Sequence, residues 1–252
     1  MSNPYASPNA PQPAAPMQQP TGPVVIQNVS ARPIDRLMKA KDMLGEQYWL
    51  FLGIAFVAML IGAAVPFGIL MGPMMCGMYM CYRQRMNGQQ TKFDLLFKGF
   101  DHFVPSLIAT LIMVGISLVI FVPLYVIMMV VIFGGAAAGG GSDEAMMAML
   151  PIILLLDLVM VVASFLIYVP FVFVYPLIVD RKLNGLDAVK LSAKAAFQNI
   201  WSVLAIVLVN GLLSIVGACL CYIPAILLMP LTFGSIFQLY RDVFAVTGPA
   251  GK

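Results

Sequence analysis

The chain has 252 residues, 61% of them hydrophobic and 10% charged, with 14 Lys and Arg against 11 Asp and Glu. Its mean hydropathy is +0.94, whereas a soluble domain is about 45–50% apolar and about 25% charged. So few charges cannot cover that much apolar surface, which excludes a soluble enzyme, a nucleic-acid binder and a disordered chain and leaves an all-α, polytopic helical membrane protein.

Residues 1–30 carry Pro4, Pro8, Pro11, Pro13, Pro16, Pro20 and Pro23 among Ala, Gln and Asn, with no charge. Such a segment cannot build a core and is expected to be a disordered cytoplasmic tail. It also lacks the apolar stretch of a signal peptide, so the first hydrophobic segment is expected to serve as an uncleaved anchor. Residues 31–242 then read as one helical membrane domain, followed by a short cytoplasmic tail over 243–252.

Four runs set the spans. Gln47–Tyr82 has 36 uncharged residues, Phe103–Ser142 has 40, Ala145–Val179 has 35 with only Asp157 inside, and Ala195–Tyr240 has 46. One crossing takes about 20 residues at about 1.5 Å each. The last run must cross twice, turning at Tyr222-Ile223-Pro224. The two middle runs each read as one long span, kinked by Pro123, Pro151, Pro170 and Pro176. The first run is either one overlong span or two short ones turning near Ala64-Val65-Pro66.

Charge placement chooses between these. Basic residues flank the first run (Arg32, Arg36, Lys39, Lys41, then Arg83, Arg85, Lys92, Lys98) and the last (Arg181, Lys182, Lys190, Lys194, then Arg241), whereas Gly134–Glu144 has none. The positive-inside rule puts that loop outside and both termini in the cytoplasm. The first run is then a hairpin, and the fold has about six membrane segments: two hairpins, two long kinked spans, and cytoplasmic interfacial helices. With about 17 residues per arm, a re-entrant pair is the alternative for the first hairpin. The expected location is the bacterial inner membrane.

An internal echo supports the hairpin. Asp35 and Trp49 are 14 residues apart, as are Asp187 and Trp201; each pair leads into a hairpin whose second arm carries Pro-x-x-x-Gly and ends in Tyr-Arg. These are Pro73, Gly77 and Tyr82-Arg83, then Pro230, Gly234 and Tyr240-Arg241. Two parallel repeats over 34–83 and 186–241 are expected.

Within the spans, Asp157 is a costly carboxylate and an ion or proton site if it meets water, or a structural acid near the headgroups if it does not. Asn210 is expected to bond across helices. Gly68 and Gly72 have the small-xxx-small spacing of close helix packing, read as the first hairpin closing on itself. The stretch Phe93–Phe100 and the helix around Leu186–Ile200 suit the headgroup level, with Arg83, Arg85, Lys190 and Lys194 as contacts for anionic lipid. Cys76, Cys81, Cys219 and Cys221 lie in apolar runs without Cys-x-x-Cys spacing, and His102 is the only histidine, so neither a metal site nor a cofactor is expected.

Gly72-Pro73, Gly77, Arg85-Met86-Asn87-Gly88 and Phe93 through Gly99-Phe100 together resemble a recurring pattern of uncharacterised bacterial polytopic membrane proteins. These are similar to the membrane domain fused to some glycerophosphodiester phosphodiesterases. Asp187-Ala188-Val189-Lys190-Leu191-Ser192 is similar to a second stretch of that group, and the likeness covers roughly residues 34–242. The acid at Asp94 is displaced by one position, and the phosphodiesterase domain has no counterpart. The resemblance therefore implies a helical membrane fold and no activity. The expected function is non-enzymatic: a membrane organiser or scaffold whose partners are the bilayer, anionic headgroups or other membrane proteins, in an oligomer or alone. A small secondary transporter or channel using kinked helices and Asp157 is the alternative.

Overall fold

The computed structural model describes residues 25–138, 142–220 and 222–244, and every element in them is helical. Of the expected tail, residues 1–24 lie outside the described residues, as does most of 243–252. The nine α-helices among the described residues are α1 (Pro33–Leu44), α2 (Tyr48–Ala64), α3 (Met71–Met86), α4 (Phe103–Ala138), α5 (Asp143–Phe171), α6 (Val174–Arg181), α7 (Gly185–Gln198), α8 (Ile200–Cys219) and α9 (Ile223–Val243). Five helical stretches are long and apolar enough to cross a membrane: Pro33–Ala64, Phe93–Gly135, Met147–Arg181, Ile200–Cys219 and Ile223–Val243. The fold is an all-α polytopic membrane fold.

The first run is a hairpin. α2 ends at Ala64, the chain turns through Pro66–Gly68, and α3 returns. Gly68 sits at φ +64° in that turn, a left-handed conformation that an L side chain adopts only at a cost. Gly68 and Gly72 thus do not share a helix face, and their spacing is not a packing motif. Gly72 packs α3 against α4 instead, since a Cβ there would lie 2.7 Å from Thr110 Oγ1 and 2.8 Å from the Ser106 carbonyl oxygen.

α3 is the centre of the molecule, buried along nearly its whole length from Gly72 to Tyr82. The chain that follows runs back along it. Thr91 Oγ1 donates to the Cys81 carbonyl (3.2 Å), and the 3-10 helix Phe93–His102 then lies against α3. Three residues per turn bring Leu96 and Gly99 into one line, and both are buried. Contact is backbone to backbone: a Cβ on Gly77 would lie 1.8 Å from the Leu96 carbonyl oxygen, and one on Gly99 2.1 Å from that of Pro73. The stretch Phe93–Phe100, expected flat at the headgroups, is therefore docked on the core by one stripe and exposes Phe97 and Phe100 by another.

The two Pro-x-x-x-Gly arms, α3 and α9, meet through aromatic side chains. Tyr79 packs edge-on against Phe237 and Tyr240, and Tyr82 against Phe51 and Phe237, with centroids 4.6–5.5 Å apart. Such pairs each add about 0.5–1.5 kcal/mol beyond area burial. The amphipathic helices α1 and α7 each precede a hairpin, and Trp49 and Trp201 just after them are 72% and 79% exposed. That is the placement of amphipathic rings at a membrane surface.

Two features depart from the expected layout. The end of the proline-rich segment is a built strap. Gln27 N–H donates to the Val243 carbonyl (2.8 Å), Val29 N–H to Asn199 Oδ1 (2.8 Å), and Ser202 Oγ to the Val29 carbonyl (2.5 Å). Ile26 and Val29 pack against the core beside these bonds, so the strap is held by apolar side chains as well as by backbone groups. The second is one of degree: the kink expected at Pro170 and Pro176 is a full break between α5 and α6 at Phe171–Phe173. Ser192 Oγ of α7 accepts the Phe173 N–H freed there (3.1 Å).

Beyond this core, α4 and α5 stand as a bare pair. No residue from Leu111 to Phe133, nor from Met147 to Leu166, is buried. Twenty-three residues make about 35 Å of helix, enough to cross the hydrocarbon layer, and a helix apolar on all sides belongs in lipid.

Candidate functional site

The break after Phe171 swings α6 inward, so that Val174 through Asp180 are all buried. Asp180 lands beside α3, where it meets Arg83 Nη1 at 2.5 Å and accepts from the Tyr79 hydroxyl. Its side chain is 1% exposed and that of Arg83 13%. Tyr240 of α9 faces the same carboxylate without a well-aligned hydrogen bond. Arg83, expected at the headgroups, is thus committed to a buried pair. Arg85 also turns inward, donating from Nε to the Met43 carbonyl (2.7 Å) and tying α3 to the end of α1. A second pair joins Arg36 to Asp242 at 3.0 Å. Of the four expected headgroup contacts only Lys190 and Lys194 are exposed, both on α7.

Asp180 was not singled out from the sequence, where it stands in Asp180-Arg181-Lys182 and reads as the charged end of a span. Only the proline-induced break turns that end into the interior; Pro170 and Pro176 six residues apart were the available signal. Asp157, the more conspicuous acid, is exposed on the bare part of α5 and lines none of the cavities described below.

Asn210 is 7% exposed. Its Nδ2 donates to the Thr232 carbonyl (3.2 Å) and to Ser235 Oγ (3.1 Å), joining α8 to α9 across their hairpin. The same asparagine floors a groove of about 450 Å³ between α5 and that hairpin, with Ser164, Ser214 and Thr232 around it. Behind it lies a cavity of about 190 Å³ lined by Met59, Met71, Met75 and Met113. The groove and cavity share Tyr168, Phe233 and Ile236. A third cleft, about 420 Å³, holds Asp101, His102 and Lys182 where the 3-10 helix meets the start of α7.

Chemically, the charges nearest the centre are neutralised in pairs, while the groove and its cavity are uncharged. Among the described residues, no three His, Cys, Asp or Glu side chains stand close enough to hold a metal ion. Cys76 and Cys81 are buried free thiols and Cys219 an exposed one. No protein family, curated protein or solved structure matches this chain.

Proposed function

We propose that the protein is a multi-pass component of the bacterial inner membrane, with both termini cytoplasmic, that organises lipid or partner membrane proteins without catalysing a reaction. The bare α4–α5 pair carries this reading. It presents about 35 Å of helix, apolar apart from Asp157 and a few hydroxyls, to whatever lies beside it in the bilayer. The rest of the chain supplies a fixed base: α3 is sheathed by its neighbours, and Arg83, Asp180, Arg36 and Asp242 are spent on internal pairs. The resemblance to uncharacterised membrane domains implies a helical membrane fold without an activity of its own, which is in keeping with this reading.

Photo-cross-linking tests it. A photoreactive residue at Val126 or Leu158, both exposed on the bare pair, should give discrete, reproducible protein or lipid adducts in native membranes. One at Phe51 in the core should give internal adducts only. The opposing result is ion or proton flux through the purified protein in liposomes that stops in Asp157→Asn. That outcome would establish a transporter and displace the organiser.

A further inference from the structure

We propose that the groove at Asn210 and the methionine-lined cavity behind it form one binding site for a neutral, hydroxyl-bearing, single-chain lipid. The proposal extends the reading above and rests on its membrane placement of the helices; the site uses only the core-facing ends of the bare stretches, at Met113 and Ser164, away from Val126 and Leu158.

Size and zoning come first. The outer groove, about 450 Å³, falls in the range of about 300–1,000 Å³ typical of small-molecule sites. The inner cavity, about 190 Å³, exceeds the ~150 Å³ of an apolar void that stays dry and takes a benzene. Four unbranched thioether side chains around it adapt to an irregular alkyl chain. Tyr168, Phe233 and Ile236 line both, so the two spaces adjoin at these three side chains. Polar atoms stand at the outer end and apolar ones at the inner end, which is the order of an amphiphile.

The hydrogen bonds define the head group. Ser164 Oγ donates to the Met160 carbonyl (2.8 Å), Ser214 Oγ to Asn210 O (2.8 Å) and Thr232 Oγ1 to Met229 O (2.9 Å). A hydroxyl has one proton and two lone pairs, so each has used its donor on its own helix and keeps acceptor capacity. Both Asn210 Nδ2 protons have acceptors on α9. The groove therefore offers acceptors and calls for a ligand that brings O–H donors. No charged side chain lines either chamber, which disfavours a phosphate or carboxylate head. Exposed Leu166, Leu208 and Leu212 beside the groove place its mouth towards the acyl region of the bilayer.

The test uses the full-length protein in lauryldimethylamine oxide, a detergent without O–H donors that does not mimic the proposed ligand. Binding of 1-oleoylglycerol is read by native mass spectrometry, against methyl oleate (same chain, no O–H) and phosphatidylglycerol (anionic head). One equivalent of 1-oleoylglycerol should bind saturably, with methyl oleate weaker by about tenfold for the lost hydrogen bonds and phosphatidylglycerol failing to displace it. Gly211→Phe should abolish retention, because Gly211 lines the groove and a Cβ there meets nothing within 4 Å. Met113→Phe should do the same from the inner cavity, with helix content by circular dichroism unchanged in at least one variant. Equal retention of methyl oleate, displacement by phosphatidylglycerol, or retention unaffected in a folded occluding variant would each overturn the assignment. None of these results changes the outcome of cross-linking at Val126 or Leu158.

Discussion

Removing the Asp180 charge tests whether the interior is held together by a closed ion pair. Asp180→Asn keeps the shape but leaves Arg83, 13% exposed at the side chain, with a guanidinium facing a neutral amide. Breaking a buried pair by removing one partner costs about 3–5 kcal/mol, because the survivor is an uncompensated charge. The near-complete burial of Asp180 puts this pair in that class. Replacing the whole set by apolar groups is a different perturbation. Arg83→Met, Asp180→Leu and Tyr79→Phe together remove both charges and the hydroxyl that donates to the carboxylate, so no buried polar partner of that set is orphaned. The triple variant should lie within about 1–2 kcal/mol of the parent, since such replacements are often neutral. Chemical unfolding in detergent, followed by circular dichroism, measures both. A loss below about 1 kcal/mol in Asp180→Asn, or a triple variant as weak as the single, would refute the argument that pairing offsets the burial of these charges.

Three more expectations follow from the same geometry. Gly77→Ala should cost at least about 3 kcal/mol, because its Cβ would meet the Leu96 backbone, whereas Gly53→Ala, with nothing within 4 Å, should gain about 0.5–1 kcal/mol; the paired unfolding midpoints decide it. Deleting residues 2–24 removes none of the strap's contacts and should leave the midpoint unchanged. Extending the deletion through Ser30 strips Asn199 and Ser202 of their partners on Gln27 and Val29, at about 1–3 kcal/mol per orphaned buried group, and should lower the midpoint clearly. Asp157→Asn should change stability by less than about 0.5 kcal/mol, as befits an exposed side chain, and a larger loss in the same assay would mean that the acid has a structural partner.

Much of the architecture was legible because hydrophobic run length and loop charge are coarse quantities that tertiary packing does not alter. The hairpin at Ala64–Pro66, the turn at Tyr222 and the two long apolar stretches Phe93–Gly135 and Met147–Arg181 all follow from them. Asn210 was legible too, since an amide in the middle of an apolar run has few partners other than the neighbouring helix. What failed to show was direction. Run length does not say which way a side chain points, so Arg83 and Arg85 read as headgroup contacts although both face inward. Gly68 and Gly72 matched a spacing that presumes a continuous helix, and the turn at Pro66–Gly68 removes it.

The placement of Asp180 shows why a local reading could not find the polar centre. Its depth depends on three separate sequence features: the prolines that end α5, the short α6 that follows, and Ser192 some twenty residues later, which accepts the Phe173 N–H and holds the break open. With the break, α6 runs alongside α3, so that Cys76 lies at Tyr175 and Tyr79 and Arg83 lie at Asp180. The same redirection carries α6 off the line of α5, and the outer parts of α4 and α5, beyond Met113 and Ser164, hold no buried residue among those described. The bare pair and the sheathed core are thus two consequences of one break. Straightening it by Pro170→Leu and Pro176→Leu should therefore weaken the Arg83–Asp180 contact and change cross-linking from Leu158 together. A change in only one of the two would show that core and pair are set independently.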